Sequence, residues 1–188
     1  MIEWTTETEK RIGRMLQIIL TDPALLAIHQ QFGGEVFRRS SVFHDLKRFL
    51  EQCDVRGDTC LEIGTWNGIT AVILSRMFRR VVSMDIFHNP VRHEILSHLG
   101  ISNVEFIDLE DNEHKARLVR DLDFDFAYLD GNHAEDTELD WSLANRCGRV
   151  LFQECLLMQP PVHNLVRKLP PEEVVYGGVG LALWRRSS

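Results

Sequence analysis

The sequence predicts an α/β fold: a doubly wound, seven-stranded and mainly parallel sheet, closed by a C-terminal antiparallel hairpin and preceded by a helical cap. Three observations carry this. Short apolar runs at residues 60–63, 81–84, 104–107, 126–129 and 150–152 alternate with helical stretches. Runs that are apolar throughout, rather than every second residue, are what strands covered on both faces look like. The last two strand-like runs, 173–176 and 181–184, are joined by Gly177-Gly178-Val179-Gly180, the spacing of an antiparallel hairpin.

The elements follow in order. Ile12, Met15, Leu16 and Ile19 recur at helical spacing, and Leu25, Ile28 and Phe32 do so again before Gly33-Gly34. A third series, Val42, Leu46 and Leu50, precedes a turn region at 54–58. Helices are expected at 68–78, 91–99, 113–120 and 134–145, between the strands. Pro160-Pro161 and Pro170-Pro171 bracket a further short helix. With 188 residues and no repeat or linker, the chain reads as one domain, residues 1–188: a helical cap over 1–55 and a core over 56–188.

The composition, 44% hydrophobic and 26% charged, is that of an ordinary globular domain. A net charge of -7 argues against a nucleic-acid partner held by bulk electrostatics, since phosphate neutralisation needs a basic surface. Arg38, Arg39, Lys47 and Arg48, and the pair Arg185-Arg186, read as solvated faces and a basic tail. No run approaches the roughly 18 apolar residues of a membrane span. The N-terminal residues lack the basic and apolar regions of a secretory signal. Cys53, Cys60, Cys147 and Cys155 show neither Cys-x-x-Cys pairing nor zinc-ligand spacing and read as reduced thiols. Together these predict a cytoplasmic protein.

In doubly wound sheets ligands bind beyond the C-terminal ends of the strands. The first strand runs into Leu61-Glu62-Ile63-Gly64-Thr65-Trp66-Asn67-Gly68. Glycines let the backbone approach a ligand, and free N–H groups at a helix start attract an anion. A carboxylate at Glu62 repels phosphates but suits an ammonium. The pattern therefore fits a ligand carrying both an ammonium and a carboxylate. Asp85 lies 21 positions after Gly64, near the spacing of an acid that hydrogen-bonds a ribose. Asp108 ends the third run; it reads equally as a partner for an adenine amino group or as part of a solvated acidic loop. The fourth run ends in Leu129-Asp130-Gly131-Asn132-His133. Asp130 suits a cation or the ligand amine. His133 suits a general base, because an imidazole titrates near neutrality. Asp130 and Asn132 also read as helix caps. Gln153 and Glu154, after the fifth run, are oxygen donors of the kind that Mg²⁺ takes, or a polar strand end facing water. The other histidines show no ligand spacing. Trp66 reads as a pocket wall or as an exposed loop aromatic.

Two of these segments resemble the class I S-adenosylmethionine (SAM)-dependent methyltransferases, over residues 59–184. They are most similar to the catechol and caffeoyl-CoA O-methyltransferase group and the related bacterial enzymes with Asp-Gly-Asp-His after the fourth strand. Glu62-Ile63-Gly64-Thr65 with Gly68 and Thr70 is similar to that group's Glu-x-Gly-Thr-x-x-Gly-x-Ser/Thr loop, and Phe126 to His133 to its fourth strand and loop. The resemblance implies a Rossmann-like methyltransferase fold and SAM as cofactor. Glu62, Gly64, Thr65 and Gly68 would hold the methionine moiety, Asp85 the ribose hydroxyls, and Ile86 would pack on the adenine. Asp130 matches the cofactor- and Mg²⁺-binding position, and His133 the place of a catalytic lysine in some members. The chain departs from the group at Gln153-Glu154, where metal-dependent members carry Asp-Asn, which sets the Mg²⁺ expectation against the residues present. The resemblance implies O-methylation of a small-molecule acceptor and a homodimer. A methyltransferase-fold binding or regulatory protein is the alternative. An NAD-dependent oxidoreductase is a lesser one, since the Gly-x-Gly-x-x-Gly spacing is missing.

Overall fold

The computed structural model of the protein describes residues 23, 26–27, 41–131, 136–153, 155, 160–177 and 180–187. The two helical series expected before Gly33 lie outside the described residues. The third is present as α1, Ser41–Gln52. Its Leu46, Phe49 and Leu50, spaced as one helix face, are all buried.

Strand and helix then alternate: β1 Gly57–Ile63, α2 Ile69–Leu74, β2 Phe78–Asp85, α3 Val91–Leu99, β3 Val104–Asp108, α4 Asn112–Asp121, β4 Phe126–Leu129, α5 Thr137–Ala144, β5 Arg149–Phe152 and α6 Pro160–Val166. The chain ends in β6 Val174–Gly177 and β7 Leu181–Arg185. The seven strands form one sheet in the order β3-β2-β1-β4-β5-β7-β6. All neighbours up to β5 are parallel, and β7 lies antiparallel between β5 and β6. The doubly wound sheet with its antiparallel hairpin is thus as the sequence predicted.

Several boundaries differ, most clearly around the first two strands: β1 starts at Gly57 rather than at 60. The helix expected over 68–78 stops at Leu74, and β2 starts at Phe78 rather than at 81. The reason is pairing. Phe78 is opposite Gly57 and Arg80 opposite Thr59, so β1 and β2 extend together into their polar N-terminal ends. Arg79 and Arg80 are exposed there and reach Asp58 and Glu105. Apolar runs mark only the buried middle of such strands.

Both faces of the sheet are covered, which is why the middles of its strands are mostly apolar. On one face α1, α2 and α3 pack Leu50, Ile73 and Ile95 against Cys60, Val81 and Tyr128. On the other, α4, α5 and α6 pack Val119, Leu143 and Leu165 against Leu61, Val82 and Phe152. Among the described residues no helix is long and apolar enough to cross a membrane.

Chain direction fixes where a ligand can enter. The order turns from β1 outward to β3 and then restarts at β4 on the other side of β1, so β1 and β4 flank a switch point. The register brings the strand ends level. Ile63 stands opposite both Met84 and Leu129, Asp85 opposite Asp108, and Leu129 opposite Phe152. Gly64, Asp85, Asp108, Asp130 and Gln153 therefore share one edge of the sheet.

Candidate functional site

The turn after β1 is built by its glycines. Gly64 has φ +97°, and a Cβ there would lie 2.1 Å from the backbone oxygen of Asp130. Only glycine lets the ends of β1 and β4 come this close. Gly68 has φ +80°, and its missing Cβ makes room for Arg92 Cβ at 2.9 Å and Phe106 Cζ at 3.0 Å. Its role in this structure is to let α2 start against α3 and β3.

Glu62 lies within the sheet with no solvent exposure. Ser83 donates to its Oε2, and the Thr65 hydroxyl lies 2.6 Å from Ser83 Oγ. Glu62 Oε1 has no hydrogen-bond partner among the described residues. Burial pushes the Glu62 carboxyl well above its usual range; the Ser83 hydrogen bond opposes this, while the charges of Asp130 and Asp85 add to it.

Asp85 organises the loop. Its Oδ2 accepts the backbone N–H groups of Thr65 at 2.8 Å and Trp66 at 2.6 Å, and its Oδ1 accepts that of Phe87 at 2.9 Å. Thr65 thus turns its hydroxyl into the core and its amide to Asp85. Around this carboxylate stand Trp66, Ile86 and Phe87, which are 42%, 54% and 67% exposed. Large apolar side chains left in water beside a polar centre mark a binding surface. Trp66 adopts φ +44°, rare for a bulky residue and concentrated at functional positions.

Asp108 is paired on two sides. Arg92 Nη2 donates to its Oδ1, and His88 Nδ1 lies 2.7 Å from its Oδ2. The His88 contact, reinforced by the charge of Arg92, holds the Asp108 carboxyl below its usual range. Arg92 is fully buried, with its guanidinium 5.0 Å over the Phe106 ring and Nη1 donating to the Phe87 carbonyl at 3.3 Å. Sequence reasoning missed Arg92, Phe87 and His88. A lone arginine on a helix reads as solvated, and nothing local shows that α3 is pressed onto β3.

At the end of β4, Asp130 is half-buried and its N–H donates to the Ile63 carbonyl at 2.8 Å. Lys115 of α4, with Asp136 and Asp140 at the start of α5, forms a buried charged cluster beside Gly131, also unmarked in the sequence. Gln153 is buried, and its Oε1 accepts the Tyr128 hydroxyl at 2.5 Å. His133 and Glu154 lie outside the described residues. The fold thus brings Glu62, Gly64, Thr65, Asp85, Ile86, Asp108, Asp130 and Gln153 to one sheet edge. Among the described residues no group of three or more His, Cys, Asp or Glu side chains could hold a metal ion.

No family model matches the chain, and no curated protein matches it. Solved structures do. Rv0187 from MTB, determined with its cofactor bound, is 19% identical over 93% of this chain and 95% of its own, with a TM-score of 0.65. A Staphylococcus aureus protein provisionally named a caffeoyl-CoA O-methyltransferase is 15% identical over 95% of this chain and 99% of its own, with a TM-score of 0.66. The O-methyltransferase from Bacillus cereus, in complex with S-adenosylhomocysteine (SAH), is 13% identical over 94% and 91%, with a TM-score of 0.56. At these identities the likeness is one of fold, and the chain has the fold of the class I SAM-dependent methyltransferases, caffeoyl-CoA O-methyltransferase-like proteins among them.

Proposed function

We propose that the protein transfers the methyl group of SAM to a hydroxyl of a small-molecule acceptor. One observation carries the reading: at the β1/β4 switch point, a buried Glu62 with an oxygen that has no partner among the described residues, the amide-bound Asp85 and exposed apolar side chains lie on one edge.

These residues fit SAM. Its ammonium would supply the donor that Glu62 Oε1 lacks. Asp85 Oδ1 accepts one N–H and retains capacity for a ribose hydroxyl. Ile86 and Phe87 offer an apolar face to the adenine, and Asp108 an acceptor for its amino group. Gly64 and the Asp130 backbone form the floor. Thr65 and Gly68 shape the loop rather than reach the ligand, because the Thr65 hydroxyl faces Ser83 and Gly68 packs on Arg92.

When bound, SAM supplies an electrophilic methyl on a sulfonium. In our reading Asp130 orients the acceptor and His133 takes the proton of its hydroxyl. The acceptor oxygen then bonds the methyl as the sulfur–methyl bond breaks, leaving the thioether product. Most of the acceleration would come from holding the two reactants in line. Mg²⁺ does not fit the described donors: no group of three or more His, Cys, Asp or Glu side chains among them could hold a metal ion, and Gln153 Oε1 already accepts the Tyr128 hydroxyl. No step is routed through a metal.

A second reading, a binding or regulatory protein without catalysis, is favoured by the acids already engaged within the protein. Asp85 takes three backbone amides, and Asp108 takes Arg92 and His88. Thermal melts with SAM, SAH and NAD, each alone, separate the readings. A ligand at about 100 times its dissociation constant adds about 2.7 kcal/mol, which is roughly 5–10 °C for a chain of this size. We expect shifts with SAM and SAH and none with NAD. Asp85→Asn keeps an acceptor for the loop amides and removes the charge; it should weaken SAM by roughly 10–100-fold. No shift with SAM or SAH would make the non-catalytic reading the leading one.

A further inference from the structure

We propose that Lys115 is a positioning residue that holds Gly131 and Asp136, the residues where β4 gives way and α5 is entered, and so fixes the backbone of Asp130. Lys115 is 3% exposed on α4, and its Nζ is 2.6 Å from Asp140 Oδ1 and 3.9 Å from Asp136 Oδ2. Asn112, one turn earlier, donates to Asp136 Oδ1 at 2.7 Å. The first turn of α4 thus grips Asp136, whose side chain makes no cap hydrogen bond to its own helix.

Asp140 acts at the other end. Its Oδ2 stands 3.2 Å from where a Gly131 Cβ would be, and Ile63 Cγ2 stands at 3.3 Å. On the opposite side, the Asp130 carbonyl lies 2.1 Å from the missing Cβ of Gly64. The Asp130–Gly131 peptide is therefore wedged between the glycine turn of β1 and the carboxylate of Asp140. Lys115 is the cation that keeps Asp140 in this place.

The charges explain why the cation is needed. The buried carboxylate of Asp140 and the half-buried one of Asp136, one turn apart, repel, and the buried ammonium of Lys115 offsets that repulsion. Buried ion pairs add little net stability compared with apolar packing, but they fix geometry, and losing one partner leaves an uncompensated charge. The consequence is local: without Lys115 the first turn of α5 moves off Gly131, and the Asp130 peptide loses one of its two walls.

This inference rests on Asp130 acting at the SAM site, so its test is chosen to stand apart from that reading. Hydrogen exchange of the ligand-free protein is followed at Asp130, whose N–H donates to the Ile63 carbonyl, and at Asp140, whose N–H donates to the Asp136 carbonyl, in Lys115→Met and Lys115→Arg. We expect Lys115→Met to speed exchange there by about tenfold or more while amides of β1 and β2 keep their protection, and Lys115→Arg to restore it. Should Lys115→Met fail to fold, Asp140→Asn, which keeps the shape and removes one charge of the pair, is expected to give the same local pattern. Unchanged exchange, or exchange raised evenly across the sheet, would overturn the proposal in either variant. Failure of the wild-type protein to bind SAM or SAH would remove the proposed function and leave the exchange result standing.

Discussion

At the residue scale, the site combines groups that a folded protein usually avoids. Glu62 is a buried carboxyl with no ion pair among the described residues, and its proton is held far more tightly than in the unfolded chain, where it ionises near the ordinary 4.5. A raised folded value means that the stability contribution is complete below pH 4.5 and is lost as pH rises through the folded value. Glu62→Gln cannot ionise. It should therefore melt higher than the wild type near neutral pH, with the difference shrinking toward acid; melts across pH check this. Ligand binding carries the opposite sign. An ammonium beside Glu62 favours the charged form, so SAM binding should release a proton and tighten as pH rises. Calorimetry in buffers of different ionisation enthalpy would detect the proton, and Glu62→Gln should abolish its release. Gly64 makes a stricter demand. Gly64→Ala puts a methyl 2.1 Å from the Asp130 carbonyl at φ +97°. A loss of at least about 2 kcal/mol is expected from strain and overlap together, read in denaturant titrations.

At the scale of the elements, the helices differ in what they do for the edge where the ligand would enter. α1 is a cover: Leu46 and Leu50 are fully buried in the core on one face of the sheet. Leu50→Ala should cost about 2–5 kcal/mol by opening a cavity and leave SAM affinity within about twofold of wild type when measured well below the melting point. α3 and α4 instead carry charged side chains inward, Arg92 to Asp108 and Lys115 to Asp140 and Asp136. α3 thereby reaches an acid at the end of β3, and α4 reaches acids in the first turn of α5, beside Gly131. Substitution of Arg92 or Lys115 should therefore alter the site locally, in contrast to Leu50→Ala.

At the scale of the molecule, the strand order decides the chemistry available. Because β1 lies between β2 and β4, the acids at 62, 85 and 130 come from three adjacent strands. The Tyr128–Gln153 bond joins the β4 and β5 ends, and among the described residues no group of three or more His, Cys, Asp or Glu side chains could hold a metal ion. Binding of SAM, and any methyl transfer that follows, should accordingly be unchanged by EDTA and gain nothing from added Mg²⁺. A chelator-sensitive melting shift with SAM would contradict this.

The sequence by itself determined the alternation of strands and helices, the terminal hairpin and the acids at the strand ends. Those features are local. A strand covered on both faces is mostly apolar through its middle, and a turn at positive φ favours glycine, so each leaves a mark within a few residues. Glu62, Gly64, Asp85 and Asp130 were legible for that reason. Only the tertiary structure decided what these groups touch. The start of β2 at Phe78 depends on pairing with Gly57, and the part played by Gly68 depends on Arg92 packing against it. Lys115, Arg92 and Tyr128 became parts of the site because distant elements place them beside acids or amides. A charged or polar residue on a helix or strand looks the same in sequence whether it faces water or a buried carboxylate, since the partner that distinguishes the two cases is set by the packing of the whole chain.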